Sequence, residues 1–416
     1  MEPLGHFAPY TGWVFPNETV FDWTVLLAVY PYLTGLVAGA FTVSSLYQVF
    51  GFQRLKPVAH LALLTSLACM LFVPLPLLLH LGHPERAFNM MFTPNVTSAM
   101  AGFGFIYTAY LLILAVEIWL LYRVDIVYLS LNAKSPAMRS LYWLMALGVQ
   151  DITPEAKALD RKVMIFLASI GIPAACGLHG YVGFIFGAIK ANPWWASPLM
   201  PVIFLLSAIV SGIAMVLVCY IAVQWMMKRP IDGPCTQSLI ESAWYFLIID
   251  VTLELLELLN RAYMANEDWV ILKTLVTTKL FTSFFVIQIV LGSVIPFLLL
   301  GSVVVFKDRI PARTRNAIGF VGGLLLLMQV AAMRWNVVMG GQMFSKSLRG
   351  FLNFDVEIYG REGLIVAGLV FSLPFITMLV ISRILPLWGG IETFPRKWMK
   401  EVEPPRRPLK GYSKFG

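Results

Sequence analysis

Asp250, Glu254, Glu257 and Arg261 recur at i, i+4, i+7 and i+11 within WYFLIIDVTLELLELLNR, a stretch that is otherwise almost wholly apolar. At 3.6 residues per turn this spacing places all four on one face of a helix. Ionisable groups in an apolar helix are costly and mark function by default. Three carboxyls against one guanidinium leave a surplus suited to taking up and passing on protons. Two readings are open. Glu257 and Arg261 form a self-neutralising i, i+4 pair, or the carboxyls serve a buried redox or transport site.

Other polar groups stand at comparable depth in apolar runs. His179 lies in GLHGYVG, and Arg334 in AAMRWNVV. His80 ends one run and is followed by LGHPERAFN, which carries His83 and Arg86. Lys279 and Asp22 stand at the ends of two further runs. Glu117, in AVEIWLLYR, is the carboxyl nearest the other side, with an interfacial pair to Arg123 as its alternative reading. Glu117 and Asp250 are the candidates for carrying protons towards the cluster, with Glu254 beyond them. The four cysteines, Cys69, Cys176, Cys219 and Cys235, form no C-x-x-C pair. They offer no zinc or iron–sulfur ligand set. His80 and His179 are the deep histidines, too few for a dihaem centre, so a chain without haem or metal is expected.

The elements that position these residues are membrane helices. Hydrophobic residues make up 58% of the 416 residues and charged residues 13%, about half the share usual in soluble domains. Mean hydropathy is +0.76. Only a bilayer can take up that much apolar surface. A span needs roughly 20 apolar residues. About nine are expected: 22–48, 57–82, 97–122, 162–189, 198–227, 238–263, 274–306, 315–341 and 361–387. Prolines 31, 74, 76, 173 and 296 interrupt several of them. No basic segment precedes a short apolar core with a cleavage site, so the first helix is expected to act as its own insertion signal.

With the N-terminus outside, 22 of the 31 lysines and arginines fall in inner segments and 7 in outer ones. Basic residues stay on the cytoplasmic side, so the C-terminus is expected inside. The net charge of +8 is then a topology signal spread over separate loops and not a nucleic-acid patch. Residues 1–21 form an outer segment, 22–387 the transmembrane domain and 388–416 a basic inner tail. That tail is suited to anchoring on lipid headgroups, with a docking tail as the alternative. Within the inner loop 123–162, residues 137–149 suit a short helix lying in the interface. The fold class is all-α: two four-helix bundles of like orientation plus one additional helix.

With its motifs taken together, the chain resembles the NrfD/HybB-like family of polysulfide reductase membrane subunits. The matching stretches are LTGLVAGAF, LGHPERAFN, PNVTSAM, VEIWLLYR, KVMIFLASIG with LHGYVG, ELLELLNR and AAMRWNVV, in order over about residues 22–387. Within the family it looks most like the membrane subunit of menaquinone reductase complexes. The resemblance implies a haem-free subunit that exchanges electrons between an iron–sulfur protein docked on its outer, periplasmic face and a quinone. A molybdopterin-like or cytochrome subunit would accompany that partner. It further implies a quinone or menaquinone pocket among His83, Arg86, His179, Glu257 and Arg334 in a bacterial inner membrane. Glu117 and Glu257 correspond to family carboxylates tied to proton movement.

The residues fit that expectation. A quinone head needs a donor for each carbonyl and proton carriers for a two-electron, two-proton reaction, which a histidine, an arginine and buried carboxyls supply. The rival expectation is a proton-coupled secondary transporter, which uses buried carboxyls and broken helices as well. Its signature, broken helices at matching places in two inverted halves, is not found in the sequence.

Overall fold

The computed structural model describes residues 21, 23–95, 97–307, 309–345, 348 and 350–385. Asp22, the N-terminal segment up to residue 20 and the basic tail lie outside the described residues. The helices are α1 (Leu26–Gln48), α2 (Lys56–Phe72), α3 (Pro74–His80), α4 (Asn89–Phe92), α5 (Ala99–Asn132), α6 (Pro136–Met145), α7 (Pro154–Gly187), α8 (Met200–Met226), α9 (Gly233–Met264), α10 (Glu267–Thr274), α11 (Ile295–Val305), α12 (Ala312–Gln342) and α13 (Leu364–Ile384). No strand forms among the described residues beyond one antiparallel bridge between Phe344 and Phe351.

Among the described residues, eight helices or helix pairs are long and apolar enough to cross a membrane. The expected span 238–263 is not one of the eight. It corresponds to α9, 32 residues long, whose acidic and basic residues lower its hydropathy. Yet α9 packs against both α8 and α11, which belong to two of the eight candidate spans.

Neighbour relations give two closed rings. The first joins α1, α2, α5 and α7, and the second joins α8, α9, the rod 281–305 and α12. Helix α13 leans on α2 outside the first ring. This is the expected pair of four-helix bundles with one added helix. By alternation of direction, α1 and α8 run the same way, so the bundles are parallel and not inverted. We call the side where α1 begins the proximal face and the other the distal face.

The bundles meet along α1, α7, α8 and α12. Small residues let them approach. A Cβ on Gly39 would overlap the Ala208 carbonyl, and one on Gly212 would overlap the backbone of Gly39 and Ala40. Close backbone contact of this kind drives helix association in lipid, where apolar burial offers no gain. Gly212→Val is therefore expected to destabilise the fold by about 3 kcal/mol or more and to abolish the monodisperse peak on size-exclusion chromatography. Gly368→Ala, where a Cβ meets nothing within 4 Å, should leave the peak unchanged.

Two expected boundaries need correction. The spans 97–122 and 162–189 were bounded by charged residues, but α5 runs on to Asn132 and α7 begins at Pro154. Arg123 Nη2 meets Asp160 Oδ2 at 2.6 Å across the two extensions, so the charges satisfy each other and the helices continue. The long connection expected at 123–162 shrinks to 133–153 on the distal side. It carries α6, which buries Tyr142 and exposes Trp143 and Leu144, 53% and 65%, as an interfacial helix would. The span 274–306 is not one α-helix either. Leu275–Lys279 and Phe281–Val294 are wound as π-helix, and α-winding resumes at Ile295, next to Pro296. The run 57–82 breaks at Val73, ahead of Pro74 and Pro76.

Candidate functional site

His179 and Arg334 meet where the two bundles join. Each stands eight residues before the proximal end of its helix, α7 at Gly187 and α12 at Gln342, or about 12 Å deep at 1.5 Å per residue. Both side chains are fully buried. Arg334 Nη2 lies 3.0 Å from His179 Nε2 and donates to Ser207 Oγ at 2.7 Å and to the Phe204 carbonyl at 3.1 Å. The guanidinium carbon sits 3.9 Å over the Phe204 ring, which also stacks on His179. Gly35 of α1 makes room for the imidazole, since a Cβ there would stand 3.2 Å from His179 Cε1. The sequence marked His179 and Arg334 but neither Ser207 nor Phe204, which look like ordinary packing residues of an apolar helix.

Arginine carries donors and no acceptor, so in the tautomer that lets Arg334 donate to Nε2 at 3.0 Å the ring proton is on Nδ1. Nδ1 has no hydrogen-bond partner among the described residues. Arg334 Nε is likewise without one. A buried donor without a partner costs roughly 1–3 kcal/mol. Two such donors at one junction suit an acceptor such as a carbonyl oxygen.

Asp250 and Glu254 approach from α9. Asp250 is fully buried, and neither of its carboxyl oxygens has a hydrogen-bond partner among the described residues. Glu254 Oε2 accepts from Gln288 Nε2 at 2.9 Å, and Gln288 Oε1 accepts from Asn336 Nδ2 at 2.7 Å. Both carboxyls lie within electrostatic range of Arg334, without direct hydrogen bonds to it. A polar thread thus runs from α9 through the π-helical segment to α12, two residues from Arg334.

Glu257 is placed apart from this group. Its Oε1 accepts from Arg261 Nε at 2.8 Å, so the self-neutralising pair does form. Arg261 also donates to the carbonyls of Pro193 and Ala196. The same loop is tied to α12 by Trp194 and Trp195, whose indole N–H groups reach the carbonyls of Asn336 and Val337 at 2.9 and 2.7 Å. Arg261 therefore clamps the proximal loop over the junction. Arg261→Gln is expected to speed hydrogen exchange of the amides in 192–197 about tenfold or more, read by mass spectrometry. Unchanged exchange would show that the clamp is idle.

His83 and Arg86 are exposed on the turn after α3, with His83 Nδ1 3.0 Å from Glu85 Oε1. Among the described residues, no hydrogen bond or ion pair joins them to the buried group. His80 Nδ1 meets Glu362 Oε2 at 2.6 Å, and Thr24 Oγ1 donates to the same oxygen. Glu117 is fully buried in the first bundle, and neither of its carboxyl oxygens has a hydrogen-bond partner among the described residues. The expected pair with Arg123 does not form, because Arg123 binds Asp160. Glu117 and Asp250 thus stand in different bundles. Lys279 Nζ donates to Asn353 Oδ1 at 2.7 Å on the exposed proximal side.

Comparison with known proteins gives this junction its context. The chain is 32% identical over 204 residues to a component of the selenate reductase of Mesobacillus selenatarsenatis, covering 48% of each chain. It is 27% identical over 215 residues to protein NrfD of Escherichia coli, covering 49% of this chain and 60% of that one. It is 23% identical over 217 residues to the Hdr-like menaquinol oxidoreductase integral membrane subunit of Archaeoglobus fulgidus, covering 52% of this chain and 46% of that one. Each match spans about half to three fifths of the relative's length. The family described as polysulphide reductase, NrfD, matches residues 14–346, which takes in both four-helix bundles and stops short of α13. The chain belongs to the NrfD family of multi-pass membrane proteins.

Proposed function

We propose that the chain is the quinone-reactive membrane subunit of a respiratory oxidoreductase complex, with its site at the junction of His179 and Arg334. The observation that carries this reading is the pair of buried nitrogens, His179 Nδ1 and Arg334 Nε, that have no hydrogen-bond partner among the described residues. The relatives support it, since those named above include a component of a selenate reductase and the integral membrane subunit of a menaquinol oxidoreductase. The quinone, when bound, supplies the two-electron, two-proton chemistry that no side chain here offers. His179 and Arg334 would hold a quinone carbonyl. Asp250 and Glu254 would hold and deliver protons, and Glu117 would serve the first bundle. His83 and Arg86 would act at the exposed turn, outside the junction.

The charge asymmetry of the loops supports a proximal face turned to the periplasm of a bacterial inner membrane. In this reading electrons pass between quinone and an iron–sulfur partner docked on that face, with a molybdopterin-like or cytochrome subunit beyond it. The quinone is menaquinone, and protons come from the cytoplasmic side. Extraction in a mild detergent should retain an iron–sulfur subunit and bound quinone with this chain. A chain recovered alone, free of quinone and moving a solute in vesicles, would favour proton-coupled transport instead.

A further inference from the structure

The hydrogen bonds of Arg334 leave one motion open. Nη2 makes the contacts to His179, Ser207 and the Phe204 carbonyl, and Nη1 lies 3.0 Å from Met333 Sδ. Two held nitrogens fix a line, and the guanidinium plane can still turn about it. Such a turn swings Nε, which has no hydrogen-bond partner among the described residues. The Phe204 ring opposes it. The guanidinium carbon lies 3.9 Å from the ring centroid, well inside the ~6 Å reach of a cation–π contact. An aromatic face holds a guanidinium without occupying its N–H groups. A carboxylate would take those groups in a bidentate pair and leave fewer for a ligand.

The ring is itself held. Gly183 lets α7 and α8 close here, since a Cβ on it would stand 2.9 Å from Phe204 Cβ and 2.7 Å from Pro201 Cα. Phe204 packs on Phe186 with ring centroids 5.7 Å apart, and Phe186 on Trp195 at 5.4 Å. The Trp195 indole is tied to the Val337 carbonyl at 2.7 Å, about one turn beyond Arg334. All three rings are buried. The row of rings thus starts and ends on α12, and the helix that carries Arg334 also anchors the stack against it. A packing role alone is the plainer account of a buried phenylalanine. It predicts that leucine replaces Phe204 at least as well as tyrosine, whose hydroxyl is costly to bury without a partner.

We propose that Phe204 is a positioning residue of the quinone site: its ring fixes the plane of the Arg334 guanidinium and so aims Nε at the quinone carbonyl, with Phe186 and Trp195 holding the ring in place. The inference rests on the reading that a quinone carbonyl binds at His179 and Arg334. Phe204 acts through Arg334. The requirement at position 204 is then an aromatic face and not apolar volume, so tyrosine should serve where leucine fails.

The test compares Phe204→Leu with Phe204→Tyr in the purified complex in lipid, by two readouts. The first needs no quinone: solid-state NMR of the complex labelled with ¹⁵N-arginine gives the order parameter of the Arg334 Nε–H bond, its signal identified by loss in Arg334→Met. The order parameter should fall in Phe204→Leu and stay native in Phe204→Tyr. The second is the dissociation constant of a short-chain menaquinone, which should rise about 3–30-fold in Phe204→Leu and stay within about twofold in Phe204→Tyr, the range of one cation–π contact. Native Nε–H order in Phe204→Leu overturns the proposal. So does a leucine variant that binds the quinone as well as the tyrosine variant while Arg334→Met binds it less tightly. If Phe204→Leu yields no folded protein, Phe204→Met takes its place with the same outcomes. Quinone affinity unchanged in all variants, Arg334→Met included, together with lowered Nε–H order in Phe204→Leu, overturns the quinone reading of the junction and the aim at a quinone carbonyl with it. The NMR readout thereby separates failure of that reading from failure of the ring to hold Arg334.

Discussion

Arg334→Met is expected to lower quinone-linked electron transfer by about 10²–10³-fold, the usual loss on removing one preorganised donor from a buried site. The variant removes the donor group that faces His179, whose Nε2 lies 3.0 Å from Nη2. It also frees Ser207 Oγ and the Phe204 carbonyl. Removing the charge from a buried cluster additionally disturbs Asp250 and Glu254, which interact with it electrostatically. Breaking such an arrangement typically costs about 3–5 kcal/mol, so folded yield must be measured beside turnover. His179→Gln offers a cleaner comparison, because it keeps a side chain that accepts from Arg334. It should retain the fold, bind quinone less tightly and turn over about 10²-fold slower. Native turnover in both variants would remove the junction from the reaction.

Asp250→Asn is the second large effect. Both Asp250 oxygens are buried and have no protein hydrogen-bond partner among the described residues, so the substitution breaks no hydrogen bond of the fold. Loss of a positioned proton carrier typically slows turnover about 10²–10⁴-fold. Bound quinone content should stay at the native level, because Asp250 makes no hydrogen bond to His179 or Arg334. A variant with lowered quinone content and an unchanged rate per bound quinone would recast Asp250 as a binding residue. Glu254→Gln removes the second proposed proton carrier and should slow turnover in the same range, while the glutamine keeps a bond to Gln288.

Much of the architecture was legible as sequence, because lipid-facing helices must be apolar over their whole length. The charge count of the loops required alternating directions, and the two rings follow from that order. The distal extensions of α5 and α7 were not legible. Arg123 and Asp160, 37 positions apart, read as loop charges until the fold pairs them. The π-winding of 281–294 leaves no mark in the sequence, since it is a choice of backbone hydrogen-bond partner within a run that is apolar on every side. His179 and Arg334 were marked separately by their charge in apolar surroundings. Their pairing spans 155 positions and only the packing of α7, α8 and α12 reveals it. Gln288 and Asn336 escaped notice because amides carry no charge, although a glutamine within FFVIQIVLG is itself a signal. Glu257 entered the expected pocket both by its spacing with Asp250 and by the family resemblance, and in the structure its carboxylate accepts from Arg261.

The most direct test is photo-crosslinking of the complex in lipid with an azidoquinone, followed by mapping of the labelled peptides. A quinone held between the bundles labels α7 near His179 and α12 near Arg334, and excess natural quinone prevents that labelling. Labelling confined to the lipid-facing sides of α5 and α13, or labelling that His179→Gln and Arg334→Met leave unchanged, would contradict a quinone site at the His179–Arg334 junction.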